Sequence, residues 1–165
     1  MRANATEVDD LLLNGKDAGV EAESGTYARI ERRWKTGDVV VLDMPMDIKL
    51  IEGHPRIEEV RNQVAIKRGP VVYCIESPDL PEGTDILDVY LPTDIELSAH
   101  NDPDFLGGLT TLSGNVLLHA DKKDAMYRTL EKPDWKSVQT EFVPYYAWSN
   151  RGKSEMTVWL PIVWK

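Results

Sequence analysis

The chain has 165 residues, enough for one ordinary domain or two small ones, and 42% apolar beside 28% charged residues is the balance of a chain that folds. Its 28 acidic and 19 basic residues leave a net charge of −9, which a nucleic-acid backbone would repel. No stretch approaches the roughly 20 apolar residues of a membrane helix, and the polar start from Met1 to Asp10 lacks the apolar core of a signal peptide, so no membrane partner and a cytoplasmic location are expected.

Along the chain, short apolar runs alternate with turn residues. Leu11-Leu12-Leu13 runs into Asn14-Gly15, a hairpin-turn dipeptide. Tyr27 to Trp34 alternates, with Ala28, Ile30, Arg32 and Trp34 on one face, and predicts a strand. Val39–Met44 and Ile48–Ile51 predict two more, the first stopped by Pro45. A charged connection opens at His54-Pro55. Gln63–Lys67 and Val71–Glu76 are strand-like on either side of Arg68-Gly69-Pro70, where a turn or bulge fits.

Ser77-Pro78-Asp79-Leu80-Pro81-Glu82-Gly83 is the clearest shift in composition and predicts a linker over 77–83. Beyond it, Val89–Leu91, Ile95–Ala99, Leu109–Leu112, Val116–His119, Val138–Val143 and Met156–Val163 predict further strands. Asp121–Leu130 is the one stretch that suggests a turn or two of helix. About ten short strands without a βαβ rhythm predict an all-β fold, an antiparallel β-sandwich. Its divided form is a partial first sandwich over 1–76 and a second over 84–165.

Few residues invite chemistry. Cys74, the only cysteine, excludes an intrachain disulfide and a multi-cysteine zinc site, and its apolar run Val71-Val72-Tyr73-Cys74-Ile75 predicts a buried, inert thiol. His54, His100 and His119 are far apart and form no ligand pair, so no metal site is expected. Glu76 closes an apolar strand where burial would raise a carboxyl pKa; a structural role is expected, with Arg68 across the turn as partner. Phosphate loops, nucleophile elbows and Ser-His-Asp orders are absent, and no catalytic residue is predicted.

Pro144-Tyr145-Tyr146-Ala147-Trp148-Ser149-Asn150-Arg151-Gly152 is the most distinctive stretch. Aromatic faces beside amide and guanidinium donors suit a sugar, which makes Tyr145, Tyr146, Trp148, Asn150 and Arg151 the candidate ligand-binding residues and an oligosaccharide the candidate ligand. In the structural reading, the aromatics fill the core while Asn150 and Arg151 cap backbone carbonyls.

Three phrases stand out together, in a fixed order and spacing. The first is Asn14-Gly15 with Gly25-Thr26-Tyr27-Ala28-Arg29-Ile30-Glu31-Arg32-Arg33-Trp34 and Thr36-Gly37-Asp38. The second is His54-Pro55-Arg56 with Val64 to Glu76. The third is Pro144 to Gly152 with Met156-Thr157-Val158-Trp159-Leu160-Pro161. Together they resemble the region behind the catalytic domain in β-L-arabinofuranosidase-like enzymes of glycoside hydrolase family 127. The resemblance implies a non-catalytic accessory region, bracing an upstream helical barrel or mediating oligomerisation. It implies that the zinc–cysteine chemistry of the family belongs to that barrel, with no cofactor here and no nucleophile at Cys74. It also implies that Met1 to Asp10 replaces an arginine–isoleucine–proline stretch. The first sandwich then lacks strands, and its open edge is completed by a second copy in a homodimer, by the N-terminal segment or by rearrangement.

Overall fold

The computed structural model describes residues 10–20, 26–119, 126–127 and 129–165. Its first element is the expected hairpin: β1 (Asp10–Leu13) pairs antiparallel with β2 (Lys16–Asp17) across Asn14 and Gly15, at φ 52° and 74°. Two successive left-handed residues make the tight turn whose twist suits paired strands, and Asn-Gly adopts it at least cost. β3 (Val40–Asp43) pairs antiparallel with the other side of β1. Asp38 binds the turn to the tip of the hairpin. It accepts from Asn14 Nδ2 at 2.9 Å and from the Lys35 amide at 2.8 Å, while Asn14 Oδ1 accepts from the Val39 amide at 2.9 Å.

The strand predicted over Tyr27–Trp34 does not form. Four of its eight residues are charged and its side chains interact locally: Arg29 pairs with Glu31 at 2.8 Å, and Arg32 lies over the Trp34 ring. Of the face formed by Ala28, Ile30, Arg32 and Trp34 only Ile30 is even half-buried, and alternation with no layer to pack against gives a strand nothing to bury.

The remaining strands form one nine-stranded sheet system: β4 (Ile48–Glu52), β5 (Gln63–Arg68), β6 (Val71–Glu76), β7 (Val89–Pro92), β8 (Ser98–Asp102), β9 (Leu109–Leu118), β10 (Lys136–Pro144), β11 (Met156–Thr157) and β12 (Trp159–Val163). The order is β11-β6-β10-β9-β7-β12-β5-β4, with β8 beside β9. A further β5–β6 pairing closes β6-β10-β9-β7-β12-β5 into a circuit, so these strands enclose their core in a sandwich-like, all-β body. One pairing departs from the expected antiparallel arrangement: β12 runs parallel to β7, with Ile162 opposite Leu91. The two strands expected over Leu109–Leu112 and Val116–His119 are the single strand β9, because Gly114 continues the ladder opposite Thr140. The strand expected over Ile95–Ala99 lies later, as β8, and Met156–Val163 is divided at Val158.

β10 shows the pattern that builds this core. Ser137, Gln139 and Glu141 are exposed, while Thr140 and Phe142 are buried. Phe142 joins Val64, Ile66, Tyr73, Ile75, Val89, Leu91, Leu112, Val116 and Leu160 in one apolar cluster. Outside the cluster, Trp135 meets Tyr90 and His119 edge-on, with ring centres 4.9 and 5.4 Å apart.

The chain divides elsewhere than at the expected linker. One unit is the chain up to Asp47 with Arg68–Pro70; the other is Ile48–Lys67 with Val71–Lys165. The expected linker over 77–83 runs inside the second unit. Proline and glycine there make a turn rather than a free tether: Leu80 and Ile86 reach the core, and Thr140 Oγ1 donates to the Asp79 carbonyl at 2.8 Å. Strands before and after the turn pair, β6 with β10 and β5 with β12, so residues on both sides of 77–83 share one core. Most of the helix suggested over Asp121–Leu130 lies outside the described residues; its described members are not helical. Among the described residues no helix is long and apolar enough to cross a membrane.

Gly114 is buried where β9 crosses beneath residues 95–97. A β-carbon there would lie 2.8 Å from Leu97 Cδ2, 3.1 Å from Ile95 Cδ1 and 3.2 Å from the Glu96 carbonyl oxygen. Leucine and isoleucine tips can yield, but the carbonyl cannot. Gly114→Ala is expected to lower stability by about 1–3 kcal/mol, the usual range for overpacking, read as a reduced urea midpoint.

Candidate functional site

β6 alternates as a strand must. Tyr73 and Ile75 enter the core, and Cys74 and Glu76 face the other way. That second face is also covered. After β10 the chain turns through Tyr145–Ala147, takes a left-handed step at Ser149 (φ 63°), and returns as β11, which pairs antiparallel with β6 and places Met156 opposite Glu76. Glu76 is thereby closed off completely, at 0% exposure.

A buried carboxylate survives only if its oxygens are bonded. Glu76 Oε1 accepts from the Ser149 amide at 2.9 Å and from Ser154 Oγ at 2.8 Å. Oε2 accepts from Arg151 Nε at 3.2 Å and Nη2 at 2.5 Å. Arg151 also donates from Nη1 to Asp79 Oδ1 at 2.7 Å and from Nη2 to Asp79 Oδ2 at 2.6 Å. Its guanidinium carbon lies 5.3 Å from the centre of the Phe105 ring. One cation thus joins two carboxylates from the end of β6 and the turn after it.

Desolvation raises the Glu76 pKa, but the Arg151, Ser149 and Ser154 bonds outweigh it and hold the carboxyl below the ordinary glutamate value. The Asp79 bonds and charge raise the Arg151 pKa against its own desolvation, so the guanidinium stays protonated. A depressed carboxylate pKa means the unfolded chain binds the proton first. The stabilisation is therefore complete above about pH 4.3, the unfolded glutamate value, and is lost as pH falls through the lower folded value. Thermal unfolding from pH 7 to pH 2.5 should show the melting temperature falling in that acid window, with a shallower fall in Glu76→Gln.

The sequence paired Glu76 with Arg68; its partners are instead Arg151, Ser149 and Ser154. Asn150 caps as expected, donating from Nδ2 to the Ala147 carbonyl at 3.0 Å, but Arg151 binds carboxylates rather than carbonyls. The structural reading expected the aromatics to fill the core, whereas Tyr145 is 46% exposed, Tyr146 68% and Trp148 38%. Sequence reasoning missed Asp79, Ser154 and Phe105. Asp79 left one signal: it follows Glu76 by three residues in a Ser-Pro-Asp turn, a spacing that can bring two carboxylates to one cation.

Cys74 is buried, and its Sγ lies 3.6 Å from the Val143 carbonyl oxygen. Burial, helped by the Glu76 charge, pushes its thiol up to about 12, so no thiolate exists at neutral pH. Zinc does not fit these residues. His54, His100 and His119 belong to three different segments, and among the described residues no three of His, Cys, Asp and Glu gather as ligands.

This arrangement stands beside close relatives. The glycoside hydrolase family 127 C-terminal domain matches residues 48–161, and the β-L-arabinofuranosidase GH127 middle domain matches residues 5–46, so the boundary between them falls where the two units part. A non-reducing end β-L-arabinofuranosidase of Bifidobacterium longum subsp. longum is 33% identical over 154 residues, 90% of this chain and 23% of the relative. A solved glycoside hydrolase superposes with a TM-score of 0.81 at 40% identity, over 97% of this chain and 27% of its own. A GH127 β-L-arabinofuranosidase from Geobacillus stearothermophilus T6 gives 0.73 at 33% identity, over 93% of this chain and 24% of its own. The chain spans about a quarter of the length of these relatives. With both matched domains in the family's order and one fold shared at these identities, the chain belongs to glycoside hydrolase family 127.

Proposed function

We propose that this chain is a non-catalytic accessory region of a β-L-arabinofuranosidase-type enzyme, serving to brace a helical-barrel catalytic domain. One observation carries the reading: the groups best suited to chemistry are committed to the fold. Glu76 has both oxygens bonded, Arg151 has all three nitrogens donating to carboxylates, and Cys74 is protonated and buried. A glycosidase needs two carboxyl groups flanking a bound sugar, one of them free to deliver a proton. The zinc and thiolate of the family belong, in this reading, to the catalytic domain, and this chain carries no cofactor.

The assay is hydrolysis of an aryl β-L-arabinofuranoside by the chain, with and without added zinc. No turnover above buffer is expected. Turnover that follows the chain through purification and disappears in Cys74→Ala or Glu76→Gln would overturn the reading. Light scattering during size-exclusion chromatography separates bracing from a role in oligomerisation, since a monomer excludes pairing between copies.

The carbohydrate-binding reading loses its polar half. Tyr145, Tyr146 and Trp148 are accessible for stacking, but the Arg151 donors and the Asn150 amide that would read hydroxyls are engaged internally. Sugar sites combine an apolar face with convergent polar groups.

A further inference from the structure

The aromatic turn after β10 is presented outward by a rigid buried frame. Tyr145, Tyr146 and Trp148 are three large aromatics within four residues, each substantially exposed, and Leu106 is exposed on the turn that carries Phe105 against Arg151. The frame behind them is built of buried charge: Glu76 fixes Ser149 through its amide, and Arg151 two residues on is clamped by Glu76 and Asp79. The clamp holds Ser149 at positive φ, a conformation that costs about 1 kcal/mol or more for a residue with a β-carbon. A turn that served only to connect β10 to β11 needs neither the strain nor the buried ions.

Rigid aromatics with few rotatable bonds dominate protein interfaces, because they bury much area for little lost entropy. With the Arg151 donors and the Asn150 amide bonded within the turn, this surface suits an apolar protein face better than a sugar.

We infer that Tyr145, Tyr146 and Trp148 form the docking surface for the remainder of a family 127 polypeptide. This rests on the accessory reading above and gives it an address. The relatives indicate the occupant. They match 90–97% of this chain yet it spans only 23–27% of them, so a large body of chain accompanies this fold in each.

Hydroxyl-radical footprinting tests the assignment, because it reads side-chain access directly. The chain alone is compared with the Bifidobacterium longum relative carrying this chain in place of its matching segment. Oxidation of Tyr145, Tyr146 and Trp148 should slow by about tenfold in the graft, as expected of anchors driven into a dry interface. Leu87, 78% exposed and remote in sequence, is the internal reference. In the graft, Tyr146→Ser should lower the melting temperature, while leaving that of the free chain, where Tyr146 is 68% exposed, nearly unchanged. If other residues of this chain become protected and the three aromatics do not, the docking surface is wrong and the accessory reading stands. If nothing becomes protected, or the two parts unfold independently, both fail. Protection of the three in the free chain as its concentration rises would make a second copy the occupant and overturn the assignment.

Discussion

Arg151→Met is expected to destabilise the second unit by about 3–5 kcal/mol, the cost of removing one partner from a buried ion pair. The loss exceeds the worth of the bonds it breaks. The bonded pair nearly offsets the desolvation of its members, but without Arg151 the charge on Glu76, at 0% exposure, keeps its desolvation with only the Ser149 and Ser154 bonds against it. Asp79 loses the same cation. The double variant Glu76→Gln with Arg151→Met should recover part of the loss. A neutral amide oxygen can still accept from Ser149 and Ser154 while methionine fills the arginine stem's space, so the coupling energy should reach about 1–3 kcal/mol. Urea unfolding followed by tryptophan fluorescence measures this as a shifted midpoint at constant slope. A single-variant loss under about 1 kcal/mol would place the cluster among solvent-screened surface bridges and remove the rigid frame on which the docking surface depends.

That cluster shows where sequence reading reaches its limit. Glu76 was conspicuous because an acid ended an apolar run, and the turn from Pro144 to Gly152 was conspicuous for its aromatics. Their connection was not legible. Glu76 and Arg151 are 75 residues apart, and nothing local says that β11 returns to pair with β6. Arg68 was the nearer cation and lost because register, not proximity along the chain, decides which side chains meet. The aromatics were misjudged for a related reason. Size and apolarity argue for burial, yet the face on which a residue emerges is set by the turn that carries it, here Tyr145–Ala147.

Fold class was more legible than its details. Short apolar runs between turn residues found β6 residue for residue and β10 to within two residues, whereas period-two patterning was a poorer guide. The same patterning failed over Tyr27–Trp34, where every second residue is polar but the intervening ones face no layer. Punctuation misled most over 77–83. Proline and glycine mark a change of direction there, and a reversal within one unit has the same local chemistry as a tether between two. The pairings of β6 with β10 and of β5 with β12 distinguish them, and those are long-range facts.

The two phenylalanines of the chain provide the other large expected effect and its control. Phe142 is completely buried in β10, opposite Leu112 of β9 and within the cluster that includes Tyr73 and Ile75. Phe142→Ala should lower stability by about 3–5 kcal/mol, since a closed ring of paired strands cannot collapse onto the space a benzyl group leaves. Phe105 sits in a short turn against the Arg151 guanidinium and is only partly buried. Phe105→Ala should cost about 1 kcal/mol, mainly the contact with the cation. A ratio of several-fold between the two urea midpoint shifts locates the energetic centre of this unit in the circuit of six strands. Equal losses would locate it instead at the ion cluster beneath the aromatic turn, and Phe105 would then join Glu76 and Arg151 as a determinant of that turn's shape.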